Sequence, residues 1–495
     1  MAEVPISPRQ SRERADIVRP VRLQGFSDAV FATAATLLVV PLRKFELEES
    51  ETLKDALVRR WPQLLVFVFG FLIICAIWES HAVRFRVVSK VDDVVVFCTL
   101  LSLMVTTFLP FSVALEGHFP RQEVSIVLSC TLLMCLEIIE LVIFIYAFKN
   151  PKLLSERFRQ LEAGEKKEKK RQIIIKIMFN CAVFSLAMAF SNASFILGQI
   201  LISTVIIMPL FRRFLRRLTE KCLRRAESYY HVLSGRVSKE RIELFSDAAT
   251  AIVATLLILD LTTEEFPKKS EVDKLGLNKV LQNMWQKFVS YIGTYITVAV
   301  LWFVHHSVLQ HIKIFTPLMV LFNNIFLAFL AGTPFISTLV NKYTGSSSHN
   351  AQVAIRVSSV IICICSSMPI AILGFSFWQR DLTLHSWAVP NAEESHTVRA
   401  HRYLFVKTLI IPIMSLITFF ATLGSPHTTD VIYHASLIIV PVLFLLLKIA
   451  FACHCRQSIQ ANNSTENSPN TSRHSSISEV SNSDLPMQST TAPQV

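Results

Sequence analysis

Residues 22–42 read RLQGFSDAVFATAATLLVVPL, and residues 241–261 read RIELFSDAATAIVATLLILDL. Eleven of these 21 positions are identical, among them Arg22/Arg241, Phe26/Phe245, Ser27/Ser246 and Asp28/Asp247. Unrelated apolar helices coincide at leucine and valine; they do not share an Arg-x-x-x-Phe-Ser-Asp run. Two more landmarks recur, Trp78-x-x-His81 with Trp302-x-x-His305 and Pro110-Phe111 with Pro334-Phe335, both at an offset of 224. The opening motif is offset by 219, so the five extra residues of the second copy fall between its first and second apolar segments. The chain is an internal duplication.

Composition says where such a duplication lives. Hydrophobic residues make up 52% of the 495 and charged residues only 17%, against about 25% charged in soluble domains. Crossing about 30 Å of hydrocarbon takes roughly 20 mostly apolar residues. Segments that qualify run 26–42, 62–82, 93–115, 124–148, 173–191 and 194–211, then 245–261, 283–305, 316–340, 353–378, 404–423 and 431–452. They are long and continuous, unlike the alternating strands of about ten residues in a membrane barrel. The first has too polar a flank, and too many successors, to be a cleaved signal. The expected fold is all-α and polytopic, with twelve transmembrane helices as two six-helix repeats. Six is even, so the repeats run parallel rather than inverted.

Lys and Arg set the orientation. Segment 149–172 carries nine basic residues against four acidic, and 211–241 ten against three, whereas 43–60 is balanced and 260–279 slightly acidic. Twelve spans put both basic segments on the side of the two termini, which is therefore cytosolic. The formal charge of +12 is mostly explained there, and no nucleic-acid partner is implied. The expected divisions are a cytosolic segment 1–21, repeat I 22–217, a cytosolic linker 218–240, repeat II 241–452 and a disordered tail 453–495, rich in Ser, Asn, Thr and Pro. No cysteine falls in a non-cytosolic loop, so no disulfide framework is indicated.

Advancing about 100° per residue from Ser27 puts Asp28 at about 100°, Thr36 at about 180° and Thr33 at about 240°. The second copy places Ser246, Asp247, Thr255 and Ile252 at the same angles. Each motif helix thus carries a Ser-Asp face near its cytosolic end, with Arg22 or Arg241 below it, and a second face deeper in the membrane. Ser and Asp at a helix start serve as caps. An ionisable group within a span is costly and is usually paired, which makes a buried Arg–Asp–Ser network with the Trp-x-x-His of the next span the sharper reading. The deeper face is either ordinary helix packing or a pore lining, where hydroxyls replace part of an ion's hydration and apolar side chains narrow the path. His81, His305 and His306 lack companion ligands at metal spacing, so no metal is expected. Twelve glycines leave no phosphate loop, and no hydrolase, kinase or zinc-protease motif is present. From residues alone a channel, a cation-coupled secondary transporter and a non-conducting scaffold all remain open.

The doubled Arg-x-x-x-Phe-Ser-Asp motif, SKERIELFSDAATAIVATLLILD at 238–260 and LWFVHHS at 301–307 resemble transmembrane protein 175, the endosomal and lysosomal potassium channel family, over about 22–452. The resemblance implies a multi-pass homodimer in endosome and lysosome membranes, with four motif helices around one pore. It also implies permeation of potassium and protons with no cofactor; membrane lipids and a cytosolic regulatory protein are expected as further partners. In that family the constriction is an apolar residue, typically isoleucine, five positions after the motif Asp. Ile252 matches this pattern and Thr33 departs from it. Two isoleucines with two threonines make a wider, wetter ring than four isoleucines. Thr36 and Thr255 match a threonine layer. Arg22, Phe26, Ser27 and Asp28, with Arg241, Phe245, Ser246 and Asp247, match the supporting motif, and Trp78, His81, Trp302 and His305 are its neighbours on the second spans. Asp28 and Asp247 are the candidate titrating groups, and Asp260 would attract cations at the luminal mouth.

Overall fold

The computed structural model describes residues 20–43, 47, 51–120, 122–191, 194, 196–204, 237–264, 266–343, 348–385, 388 and 395–466. The helices that matter here are α1 (Val21–Leu37), α2 (Leu53–Val87), α3 (Asp93–His118), α4 (Glu123–Lys149) and α5 (Ala163–Ser191) in repeat I. Repeat II holds α6 (Lys239–Leu256), α7 (Trp285–His311), α8 (Pro317–Ala331), α9 (Thr333–Tyr343), α10 (His349–Trp378), α11 (Ser395–Ala421) and α12 (Pro426–Glu466). Among the described residues, eleven helical segments are long and apolar enough to cross a membrane, α8 with α9 counting as one. The sixth expected span, 194–211, is helical over 196–204, and 205–211 lies outside the described residues. So do 1–19, most of the linker (205–236) and 467–495.

Local chemistry explains the boundaries. Thr52, Asp92, Thr316 and Ser348 cap the starts of α2, α3, α8 and α10, each side chain accepting an otherwise orphaned backbone N–H. Asp92 and Thr316 stand 224 apart, so the two copies cap the same helix by different residues. Isolated bridges Val88↔Leu154 and Ile312↔Leu384 occur at matching places too, tying the end of the second span to the chain after the fourth. The Pro-Phe landmark behaves differently in the two copies. Pro110 sits inside continuous α3, whereas Gly332 and Pro334 divide α8 from α9. Helix α12 persists to Glu466, past the tail boundary expected at 453, because neither proline nor glycine interrupts 453–466.

The two repeats are wired alike. Within Met1–Leu445, the larger of two units into which the chain divides, α1 packs on α2 and α3, α3 on α4, and α4 on α5; α6 packs on α7 and α8, α8 on α10, and α10 on α11. The repeats meet chiefly through α1 against α6. The second unit, Leu446–Val495, contains the last turns of α12.

Candidate functional site

The centre of that contact is an ion pair. Asp28, on the second turn of α1, is 2% exposed. Arg241, near the start of α6, donates to it twice, from Nε at 3.2 Å to Oδ2 and from Nη2 to Oδ1. Trp78 Nε1 on α2 donates to the same Oδ1 at 2.7 Å. The Trp78 ring also stacks on Phe245, with centroids 4.1 Å apart and planes 19° apart. The motif Asp and the Trp of repeat I thus take the Arg and the Phe of the other repeat, and Arg22 of the same motif is not among the partners of Asp28. A two-nitrogen guanidinium contact fixes orientation as well as charge.

In the second copy Trp302 Nε1 donates to Asp247 at 2.7 Å, but among the described residues no Arg pairs with Asp247. Asp247 is exposed, and so is Arg22, which has no ion-pair partner among the described residues. Trp302 stacks on His306 instead of a phenylalanine, while Phe26 is 53% exposed where its counterpart Phe245 is 0%. Exposure follows two rows on each motif helix. Asp28, Ala32 and Thr36 are buried, yet their counterparts Asp247, Ala251 and Thr255 are exposed. Arg22, Phe26, Ala29 and Thr33 are exposed, yet Arg241, Phe245, Ala248 and Ile252 are buried or half-buried. The Asp row of α1 meets the Arg row of α6; the Arg row of α1 and the Asp row of α6 are left open.

Behind each motif lies a polar cluster, and the two differ. In repeat I, His81 Nδ1 donates to Glu140 Oε1 at 3.3 Å and Arg84 Nη1 to the same oxygen at 3.0 Å. Arg84 Nη2 reaches Thr99 at 3.2 Å and the other His81 nitrogen at 3.4 Å. The Phe85 ring lies between Arg84 and Arg241, 4.9 and 5.5 Å from the two guanidinium carbons. In repeat II, His305 Nε2 donates to Asn323 Oδ1 at 2.7 Å, and Asn323 Nδ2 donates to Ser246 at 3.1 Å. The His305 ring stacks on Phe326, centroids 4.3 Å apart. At the 224 offset Asn323 replaces Thr99 and Val308 replaces Arg84. Ser27, by contrast, only returns its hydroxyl to Leu23 O at 2.7 Å.

Along the deeper faces, Thr33 is exposed and bonds Ala29 O at 2.8 Å; Thr36 is buried and bonds Ala32 O at 2.9 Å. Thr255 is exposed and bonds Ile252 O at 2.8 Å, and Ile252 is half-buried against the core. Asp260 opens a short π-helical turn, Asp260–Glu264; its side chain lies outside the described residues. Sequence reading missed Arg84, Glu140, Thr99 and Asn323. Glu140 could have been found as a carboxylate inside a predicted span. Nothing in the linear motif says that Arg241 crosses to Asp28.

Asp28→Asn strands the Arg241 charge in a buried site and is expected to cost roughly 3–5 kcal/mol. Asp28→Leu combined with Arg241→Met should recover most of that loss, because no unpaired charge remains. A double-mutant cycle on detergent-solubilised protein, read by thermal unfolding, checks both; additive losses would mean the pair is not coupled.

Comparison with known proteins places this geometry. Residues 22–110 and 241–334, which contain both motif helices and both Trp-x-x-His sites, match the family described as endosomal/lysosomal potassium channel TMEM175. The endosomal/lysosomal proton channel TMEM175 of Danio rerio is 32% identical over 441 residues, covering 86% of this chain and 83% of that protein. Its Homo sapiens namesake is 30% identical over 440 residues, covering 86% and 85%. A potassium channel of Streptomyces collinus is 34% identical over 102 residues, 21% of this chain and 50% of that one. Among solved structures, the crystal structure of a lysosomal potassium-selective channel TMEM175 homolog from Chamaesiphon minutus aligns with a TM-score of 0.34 at 20% identity, covering 42% of this chain and 97% of that one. With its duplicated motif and a similarity to the vertebrate relatives that covers 86% of the chain, the protein belongs to the TMEM175 family of endosomal/lysosomal channels, which are not enzymes.

Proposed function

We propose that the protein is a potassium- and proton-permeable channel of endosomal and lysosomal membranes, conducting as a homodimer through a pore ringed by α1 and α6 of two copies. The observation that carries this reading is the pair of open rows. A head-to-tail contact leaves complementary surfaces exposed at both ends until a ring closes. Here α1 offers Arg22 and Phe26, the residues that Asp247 and Trp302 lack, and a second copy brought up by a two-fold axis supplies both at once. The geometry fits four helices. At about 100° per residue the Asp row centres at about 140° and the Arg row at about 230°, a separation matching the roughly 90° between neighbour directions in a square ring.

Residues of both rows where they adjoin would line the axis of such a ring. They are Ala29, Thr33 and Thr36 on α1, and Ala248, Ile252 and Thr255 on α6. Thr33 and Ile252 would form the constriction, with hydroxyls meeting the ion and isoleucine narrowing the path. Names borne by the relatives, potassium channel and proton channel, support the choice of ions, and their endosomal/lysosomal description supports the compartment. Lys and Arg placement supports cytosolic termini.

Two experiments test the reading. Light scattering of the purified protein should give the mass of two copies. Arg22→Glu should release monomers, and adding Asp247→Arg should restore the pair; a monomeric wild type, or an indifferent Arg22→Glu, would sink the ring. In patch recordings, currents should reverse at the potassium equilibrium potential, where a coupled transporter would move its substrates in fixed ratio. Thr33→Ile should tighten discrimination against sodium and Ile252→Asn should loosen it, each by about tenfold in permeability ratio, or about 1.4 kcal/mol. If neither substitution alters the ratio, the constriction lies elsewhere.

A further inference from the structure

Away from the motif helices, repeat I buries a carboxylate that the ring does not use. Glu116 lies two residues before the end of α3, 4% exposed, at the membrane face opposite the Asp28–Arg241 pair, since α3 starts beside the end of α2 that carries Trp78. Gln199 donates to it from Nε2. Both line a cavity of about 20 Å3 together with Gly70, Val113, Ser129 and Leu133. That is room for a water molecule, and the polar groups are enough to hold one. The Ser129 hydroxyl is buried, 3% exposed, and faces the Glu116 carboxylate without a hydrogen bond of standard geometry.

The fold does not need this carboxylate. At the 224 offset its counterpart is Val340, which is 1% exposed, and repeat II packs there without any charge. Nor is Glu116 half of a salt bridge. Facing it are Gln63 of α2, beside Gly117, and Ser129 and Cys130 of α4, with Gln199 across the cavity; His118 follows it on α3 and is exposed. No lysine, arginine or second carboxylate acts on it among the described residues. An intramembrane acid held only by neutral groups beside a water-sized cavity is a proton acceptor in waiting.

We infer that the Glu116–Gln199–Ser129 cavity is a proton-binding site off the conduction axis. A hydronium ion from the nearby aqueous face gives its proton to a carboxylate oxygen of Glu116 and leaves as water. The new O–H donates to the Ser129 oxygen, and the carboxyl becomes neutral. The same cavity wall reaches the pore helix. A Cβ built on Gly70 would lie 2.6 Å from Val113 Cγ1 and 3.5 Å from Leu38 Cδ1, so α2, α3 and the residue after α1 meet at this point, two positions beyond Thr36. Proton occupancy therefore bears on the packing of α1, and through it on the current. That last coupling rests on the channel reading; the proton binding does not.

Difference infrared spectroscopy of the full-length protein in lipid vesicles reads the binding directly. Acidification should produce the C=O stretch of a buried protonated carboxyl, lost in Glu116→Gln and shifted in frequency by Ser129→Ala, which removes its hydrogen-bond acceptor. Gln199→Leu should retain the band with a shifted midpoint, and provides a second variant should Glu116→Gln fail to fold. A band that survives in Glu116→Gln overturns the assignment. So does a band at fixed pH that responds to exchanging potassium for sodium, since the cavity would then hold an alkali cation. In recordings, Glu116→Gln should lose a component of the current's dependence on pH at that face. Loss of the band with no change in pH dependence would remove the coupling to the pore, whereas absence of current in the wild type would count against the channel reading and leave the band unaffected.

Discussion

A single buried ion pair, Arg241 with Asp28, holds the two repeats in one arrangement. Two charges in a low-dielectric interior are tolerable only in contact, and separating them leaves each with an uncompensated desolvation cost of several kcal/mol. The pair therefore acts as a register pin. Sliding α6 by one turn against α1 would move Arg241 about 5.4 Å, breaking both hydrogen bonds to Asp28 and lifting Phe245 off Trp78. Dispersion and stacking between α1 and α6 are tolerant of such a slip; a guanidinium fork on a carboxylate is not. The pin is also directional. It joins the Asp row of one helix to the Arg row of the next, and no rearrangement within one chain satisfies both rows of both helices. Because the constraint is head-to-tail, the ring proposed above would repeat between copies the same contact that folds one chain.

Behind this shared device the repeats have taken different routes to the same end. Both place a histidine one turn after the tryptophan, and both satisfy it with a side chain from a neighbouring span. In repeat I the partner is Glu140, which requires Arg84 as counter-charge, which in turn uses Thr99. In repeat II a neutral amide, Asn323, accepts from His305 and donates to Ser246, so Val308 is sufficient where Arg84 would stand. The charged version packs beside Arg241 through Phe85, and its Glu140 helps balance a region holding two guanidinium groups. The neutral version ties the histidine directly to the motif serine. Each solution gives its histidine a hydrogen bond to a side chain of another span, as a membrane interior demands, although the charged one leaves the buried Arg84 Nε without a hydrogen bond.

Much of this was open to reading from the chain alone. The duplication, the parallel sense of the repeats and the helical spans follow from a repeated polar motif set in long apolar runs, signals that survive without tertiary information. What could not be read is which copy of a motif serves which. Arg22 and Arg241 are identical in local context, so spacing gives no means to tell an intrahelical Arg–Asp pair from one that crosses to the other repeat. Glu140, Arg84 and Asn323 were missed for another reason. Each occurs once, in a different span from its partner, and only packing brings them together. The exposed rows on α1 and α6 are legible only as a difference between copies, which needs coordinates for both.

The hydroxyls of the motif helices carry one more consequence for a ring of four. In the proposed ring, ordered α1, α6, α1, α6, like residues would face each other across the axis, with the two Thr33 side chains on one diagonal and the two Ile252 side chains on the other. The isoleucine pair would then limit the width of its own diagonal but not of the threonine diagonal, and the opening would be rhombic rather than round. Thr33 and Thr255 each donate their hydroxyl hydrogen to their own helix, to Ala29 O and Ile252 O respectively. The hydrogen is thereby spent, and what each hydroxyl can offer the axis is its oxygen lone pairs. A passage lined in this way would present acceptors and no donors, favouring cations over anions without a single charged residue at the narrowest point. A cation on the threonine diagonal can keep partial coordination to oxygen while its flanks pass against isoleucine, so its loss of hydration is split between two chemically different walls.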